Sequence, residues 1–247
     1  MGEAQDILGS KLPFNILTDL PSPEEWHKRS RQACGTLPAL DKIFSMIEQG
    51  WVPNLHGKKY RLEEGDVTTA QAELLFYLVT ETKPILTVET GFEHGLNAAV
   101  ITAGHMYNGL NGGHVPVQNQ PKAILDGIGF YTMERLELNG YQIMEHETGT
   151  VLPQMYLQKL NQGLSFVYFS SATDFDEQMM EYFFLNRLLN EGGIMAINTH
   201  APARQELVAY IRKARHDYAV RETPCGITLV QTPNHSAIAR HNPGLRH

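Results

Sequence analysis

Short apolar runs alternate with longer amphipathic segments along most of the chain, and this alternation predicts an α/β fold. The predicted strands cover residues 85–88, 114–118, 141–147, 166–170 and 193–198. Helical patterns separate them at 68–80, 96–103, 125–140 and 208–218, and residues 219–232 are predicted to form a closing antiparallel hairpin. Strands that alternate with helices in this way favour a doubly wound, mostly parallel sheet.

Residues 1–64 differ from the rest because prolines interrupt them repeatedly. Two helices are predicted there, at 23–35 and 39–50, each followed by a glycine that can end it. The second helix carries an apolar stripe formed by Leu40, Ile43, Phe44 and Ile47. We expect this stripe to pack on the core or on a second subunit rather than to contact a cofactor.

The most informative segment is ILTVETGFEHGLNAAVITAGH, residues 85–105. Glu89 ends a short buried strand, Gly91 and Gly95 allow a sharp turn, and an Ala-rich helix begins at Leu96. The unpaired N–H groups of the first helical turn would face the same crevice as the acid. By itself, such a glycine turn is also common in α/β proteins without a nucleotide site. The glycine spacing differs from the dinucleotide GxGxxG, and a Walker phosphate loop is excluded because no Gly-Lys-Ser/Thr follows.

This run resembles the first motif of class I S-adenosylmethionine (SAM)-dependent methyltransferases, and VETGFEHG resembles the small-molecule O-methyltransferase branch. Residues 152–200 follow the same family order of helix, fourth strand, acidic loop, helix, Gly-Gly turn and fifth strand. The resemblance covers roughly residues 65–232. It implies a Rossmann-like, seven-stranded SAM-binding domain at 65–232, with an N-terminal helical cover or oligomerisation segment at 1–64 and a tail at 233–247.

The resemblance also implies where the cofactor S-adenosylmethionine would bind. The cofactor-binding positions that correspond to the family motifs are Glu89, Gly91, Phe92, His94, Gly95, Gln118, Glu147, Thr148 and Ser170. Gln118 stands where the family has an acid that accepts both ribose hydroxyls. A glutamine carbonyl accepts one hydroxyl without the charge-assisted part, a loss of roughly 1–2 kcal/mol. An ordinary exposed loop residue is the alternative role for Gln118.

Metal-dependent members of this fold hold a divalent cation with acids at the ends of the fourth and fifth strands. Ser170 and the pair Asn198-Thr199 occupy these places here. Mg²⁺ and Ca²⁺ prefer several anionic oxygens, which these three residues do not supply. We therefore expect no metal, and Asp176, at the start of a helix, suits the helix dipole instead.

Methyl transfer to oxygen without a metal needs a base, and His200, directly after the fifth strand, is the first candidate. His94 in the glycine turn is the second. Tyr168 and Tyr182 could instead contact the sulfonium through cation–π interactions, although core packing is the commoner role of such aromatics.

These residues predict a metal-independent SAM-using enzyme of small-molecule metabolism, most simply a methyltransferase that acts on a small polar metabolite. Two alternatives stay open. SAM could cyclise by attack of its own amine on the γ-carbon, releasing methylthioadenosine and a small-ring amino acid. The chain could also be a non-catalytic partner protein with the SAM fold.

Composition indicates which binding partners and which cell compartment suit such an enzyme. The net charge of −7 gives no basic surface for nucleic acid. Two distant cysteines suggest neither a disulfide framework nor a metal site, which favours a reduced, cytoplasmic protein. No apolar stretch approaches the ~18 residues of a membrane span. The apolar stripe of the second helix is compatible with a homodimer.

Overall fold

The computed structural model describes residues 14–63, 66–109, 112–117, 127–158, 163–170, 174–200 and 202–234. The helices in these ranges are Pro23–Cys34 (α1), Pro38–Gln49 (α2), Thr69–Thr82 (α3), Leu96–Tyr107 (α4), Ile128–Arg135 (α5), Thr148–Leu157 (α6), Phe175–Leu188 (α7) and Pro202–Ala214 (α8). The strands are Trp51–Pro53 (β1), Lys59–Arg61 (β2), Leu86–Thr90 (β3), Gly113–Val117 (β4), Leu164–Phe169 (β5), Ile194–Asn198 (β6), Ala219–Glu222 (β7) and Ile227–Gln231 (β8). No helix among these residues is long and apolar enough to cross a membrane.

A six-stranded sheet in the order β4-β3-β5-β6-β8-β7 forms the centre of the fold. β4, β3, β5 and β6 are parallel, whereas β8 runs antiparallel to both β6 and β7. Because helices connect the parallel strands, their carboxyl ends lie at one edge of the sheet. The prediction of a doubly wound α/β sheet with a terminal antiparallel hairpin is confirmed.

The predicted third strand, residues 141–147, is wrong as a continuous element. Only Tyr141 and Met144 form isolated bridges, which join them in parallel to His114 and Val117 of β4. Most of the segment is exposed or half-buried, so little apolar burial holds it along the sheet edge. The described sheet therefore has six strands and two bridges where seven strands were predicted.

Several helix boundaries also differ from the predicted ones. α6 begins at Thr148, well before Pro153, although a proline usually marks a helix start. α8 begins at Pro202 rather than at residue 208. The helix predicted at 125–140 is observed as Ile128–Arg135, and residues 118–126 lie outside the described part.

Two apolar layers cover the sheet, one on each face. One layer contains helices α1 through α5 and the side chains on one face of the sheet. The other contains α6, α7 and α8 and the side chains on the opposite face. The stripe of α2 is buried in the first layer, since Leu40, Ile43 and Phe44 are fully buried. The apolar face that was compatible with a homodimer is thus used within the chain.

The loop before α3 is fixed by a capping box. The hydroxyl of Thr68 accepts a hydrogen bond from the backbone N–H of Gln71, and the side chain of Gln71 accepts one from the N–H of Thr68. The buried Gln71 amide also donates to Asn198 Oδ1 at 3.4 Å, at the end of β6. The start of α3 is therefore tied to the carboxyl edge of the sheet.

We predict that Thr68→Ala lowers the free energy of unfolding by about 1 kcal/mol, because an N-terminal donor of α3 loses its partner. Urea denaturation measures the change. Thr69→Ala is the matched control, since the hydroxyl of its neighbour Thr68, not of Thr69, forms the cap. Equal losses in both variants would contradict the capping role.

Candidate active site

The turn between β3 and α4 has the backbone conformation that its glycines were expected to provide. Gly91 and Gly95 have φ values of 87° and 73°, in the left-handed region. Gly95 is the N-cap of α4 and contributes no side-chain cap, so the first turn of the helix presents backbone N–H groups. A Cβ on Gly95 would lie 2.7 Å from the carbonyl oxygen of Gly129, so α5 packs directly against this turn.

A shallow pocket, open to solvent and with a cavity volume of about 20 Å³, lies over this turn. It is lined by Leu62, Asp66 and Val67 from the segment before α3, by residues 92–97, and by Ser170 and Asn198 from the ends of β5 and β6. This is the carboxyl edge of the parallel strands, where open α/β sheets bind their ligands.

Hydrogen bonds fix the strand ends below the pocket. The backbone N–H of Ser170 donates to Thr90 O at 3.0 Å, and Ser170 Oγ accepts from Asn97 Nδ2 at 3.0 Å. The buried Asn97 Oδ1 has no hydrogen-bond partner among the described residues. It remains an acceptor beside the pocket.

Acidic groups line one side of the pocket. Asp66 Oδ2 lies 3.9 Å from His94 Nδ1, and potential ligand atoms of Asp66, Glu93 and His94 all lie within 4.8 Å of one another. The Glu93 side chain is exposed at the pocket rim, yet desolvation by the surrounding protein and the carboxylates of Asp66 and Glu63 raise its pKa to about 7. No lysine or arginine in the described part of the chain pairs with Asp66 or Glu93, so this side favours a cation.

Glu89 lies beneath the pocket and is fully buried. Its Oε2 is 3.2 Å from Nε2 of the equally buried His114, while its Oε1 has no partner within hydrogen-bonding distance among the described residues. Burial raises the pKa of Glu89 well above its usual range; Glu93 adds to the rise and the Ser170 hydroxyl opposes it. The carboxyl group therefore lies between His114 and the pocket-lining Ser170.

A second buried acid, on the opposite face of β3, shows what Glu89 lacks. Glu181 Oε2 accepts hydrogen bonds from Arg204 Nη2 at 3.1 Å and from Thr90 Oγ1 at 3.0 Å. Both Glu181 and Arg204 are fully buried, so this charge has a cationic partner inside the protein. No lysine or arginine pairs with Glu89 in the ranges that the structure describes.

Comparison with known proteins finds matches in structure alone. No model of a protein family matches the sequence, and no curated protein matches it significantly. One solved structure that the chain resembles is cofactor-bound Rv0187 from MTB, with 14% identity, a TM-score of 0.57 and coverage of 87% of this chain and 100% of that one. A second is the SAH-bound Podospora anserina methyltransferase PaMTH1, with 15% identity, a TM-score of 0.57 and coverage of 92% and 100%. A third is the SAM complex of the O-methyltransferase TomG from Streptomyces achromogenes, with 14% identity, a TM-score of 0.55 and coverage of 87% and 100%. The chain has the fold of the class I SAM-dependent methyltransferases.

Within this methyltransferase fold, the predicted cofactor residues divide into two groups. Glu89, Gly91, Phe92, His94, Gly95 and Ser170 meet at the turn and the strand ends. Phe92 is buried and packs edge-on against Phe130 at 5.4 Å, so its ring lies toward α5.

Of the remaining cofactor residues, Glu147 and Thr148 do not line this pocket. Glu147 is exposed at the start of α6, and Thr148 is buried with its hydroxyl donating to Glu177 Oε1 at 3.1 Å. Gln118 lies outside the described residues. Their roles toward adenine and ribose remain predictions.

The three predicted catalytic residues lie away from the pocket lining. His200 is exposed, and its ring rests on the backbone of Gly226 in the β7–β8 turn. Tyr168 is fully buried in β5 and its pKa is raised by burial. Tyr182 of α7 is buried and packs edge-on against Tyr210 of α8, and burial raises its pKa to about 12. Among the histidines named as bases, His94 is the one in the pocket.

Sequence reasoning missed Asp66, Asn97 and His114. Asp66 reaches the pocket through a loop contact that has no local pattern. His114, in contrast, is a polar residue inside an apolar strand, and that interruption was a usable signal.

We predict that Gly95→Ala destabilises the chain more than Gly57→Ala. Both glycines have left-handed φ values, 73° and 77°, so both substitutions carry the same backbone strain of about 1–2 kcal/mol. Only a Cβ at Gly95 meets other atoms, at 2.7 Å, and this adds about 1–3 kcal/mol. Urea denaturation of both variants measures the difference, and equal losses would contradict the close contact between the turn and α5.

We also predict that Glu93→Gln makes the protein less sensitive to rising pH. The folded-state pKa of Glu93, about 7, lies above the ordinary value of 4.5. Between about pH 4.5 and pH 7 the folded chain holds a proton that the unfolded chain has lost, so the free energy of unfolding falls as pH rises through this range. Thermal unfolding at about pH 5 and pH 8 should show the variant gaining stability relative to the unmodified chain at the higher pH. Parallel pH curves for Glu93→Gln and the unmodified chain would contradict the prediction.

Proposed function

We propose that the chain binds SAM in this pocket and acts as a metal-independent enzyme on a small polar metabolite, most simply as a methyltransferase. The observation that carries the proposal is the meeting of two complementary groups at one turn. The N-terminus of α4 offers N–H groups to a carboxylate, and Glu89 offers a buried acid without a cationic partner among the described residues to an ammonium group. The amino-acid end of SAM carries both of these charges.

The neighbours support the same cofactor, since PaMTH1 holds SAH and TomG holds SAM. SAM supplies a methyl carbon that its sulfonium activates. The residues of this chain would orient the cofactor, exclude water and hold the acceptor, which is most of what such a displacement needs. His94, in the pocket lining, is the residue that we infer takes the acceptor proton.

Cyclisation of SAM is the second candidate, and the state of Glu93 favours it. A carboxyl group with a pKa of about 7, beside the proposed methionine site, can accept a proton from the cofactor's own ammonium group. The freed amine would attack the γ-carbon, and the bond from that carbon to sulfur would break. The products would be methylthioadenosine and a ring amino acid.

The remaining features support a small-molecule enzyme of the cytoplasm. The net charge of −7 disfavours nucleic acid, and Cys34 and Cys225 are both free. Ser170 and Asn198 at the strand ends support independence from metal, because they supply no anionic oxygen. Asp66, Glu93 and His94 have potential ligand atoms within 4.8 Å of one another, so metal independence needs a test with a chelator.

Calorimetric titration with SAM and S-adenosylhomocysteine tests the proposal. We predict binding by the unmodified chain, unchanged by a chelator, and roughly ten- to 150-fold weaker binding by Glu89→Gln, because a charge-assisted hydrogen bond worth about 1.5–3 kcal/mol is lost. The surface variant Glu222→Gln should bind normally. The absence of heat with either ligand would contradict both enzymatic functions and leave the non-catalytic alternative.

Chromatography of a reaction with SAM then separates the two chemistries. Methyl transfer predicts S-adenosylhomocysteine that forms only with an acceptor. Methylthioadenosine formed from SAM alone would contradict methyl transfer and support cyclisation.

A further inference from the structure

A chain of hydrogen-bonding side chains leads from the sheet interior to Glu89. His105 Nε2 of α4 lies 3.0 Å from Thr87 Oγ1 of β3, and Thr87 Oγ1 lies 2.8 Å from His114 Nδ1 of β4. His114 Nε2 then lies 3.2 Å from Glu89 Oε2. All four side chains are buried beneath the apolar layer of α3 and α4.

Such a chain is costly to bury unless its members satisfy one another. Burial lowers the pKa of His105 to about 4 and the pKa of His114 well below its ordinary value, so both imidazoles are neutral. A neutral imidazole offers one donor and one acceptor. Both ring nitrogens of His114 have partners, Thr87 on one side and Glu89 on the other, so its ring orientation is fixed.

The fixed ring determines where the Glu89 carboxyl group can lie. One oxygen is held against His114 Nε2, and the group reaches Ser170 in the pocket lining on its other side. The second oxygen, Oε1, has no hydrogen-bond partner within the described ranges. Oε1 is itself buried and Glu89 is not part of the pocket lining, so a ligand cation would have to displace the lining beside Ser170 to reach this oxygen.

We propose that His114 is a positioning residue that holds the Glu89 carboxyl group toward the pocket for the α-ammonium group of SAM. The inference rests on the proposed function, because it concerns the same cofactor. His114 itself would touch neither the cofactor nor the acceptor.

The two amide variants of His114 separate positioning from packing. In His114→Gln the terminal amide can replace Nε2 and keep a hydrogen bond with Glu89, because the amide offers both a donor and an acceptor. In His114→Asn the amide replaces Nδ1, which keeps the contact with Thr87 and loses the one with Glu89. Both variants remove the ring, so a purely structural role would affect them alike.

Calorimetry with two ligands reads out the effect. S-adenosylhomocysteine carries the amino acid, whereas methylthioadenosine carries the adenosyl part alone. We expect His114→Asn to bind S-adenosylhomocysteine about tenfold more weakly and methylthioadenosine normally, and His114→Gln to bind both within about threefold of the unmodified chain. If His114→Asn weakened the binding of both ligands equally, or of neither, the positioning role would be overturned. Binding of S-adenosylhomocysteine by the unmodified chain would still support the proposed function in that case. No binding by the unmodified chain would overturn both.

A measurement on the unmodified chain covers the case in which His114→Asn does not fold. Nuclear magnetic resonance of ¹⁵N-labelled histidine should show the Nε2 signal of His114 shifting when S-adenosylhomocysteine is added and staying in place with methylthioadenosine. An unchanged signal in the presence of bound S-adenosylhomocysteine would overturn the inference.

Discussion

The site depends on a buried carboxylic acid, Glu89, that has no cationic side chain to pair with it among the described residues. Burying a charge is costly unless an opposite charge accompanies it, and the protein meets this requirement at Glu181 with Arg204. At Glu89 the described residues provide the neutral His114 and the uncharged hydroxyl of Ser170. Burial therefore keeps the pKa of Glu89 raised, and a cation bound beside the carboxyl group would lower it. A buried acid of this kind suits a site that binds a cation.

The surrounding structure can be understood as the support for that acid. Glu89 and Thr90 are neighbours in β3, and their side chains point to opposite faces of the sheet. Each is held by a buried polar contact, with His114 on one face and with Glu181 on the other. The strand end is thus fixed from both sides, and the glycine turn that follows can bring the start of α4 over the same pocket.

The sequence predicted those parts of the molecule that local pattern determines. The turn at Gly91 and Gly95 was predictable because left-handed conformations favour glycine, and the buried strands were predictable from their apolar runs. The structure of residues 141–147 was not predictable in this way, because an edge strand forms only where its neighbour offers backbone hydrogen bonds. This segment pairs with β4 at two isolated bridges.

The candidate site was predictable only in part, for a related reason. The Glu89 end of the pocket is continuous in sequence, but Asp66 and His114 reach it from other elements. His200 followed the expected strand, yet its ring lies on the β7–β8 turn, a contact set by the long-range pairing of the hairpin. A residue's position after a strand therefore predicts the edge of the sheet where it lies, and not the direction of its side chain.

A crystal structure with S-adenosylhomocysteine would show how the amino-acid end of the ligand is held. We expect the ligand carboxylate at the N-terminus of α4 and its ammonium group within hydrogen-bonding distance of Glu89 Oε1. A ligand bound elsewhere on the chain, with Glu89 still buried and its Oε1 out of reach, would contradict this expectation.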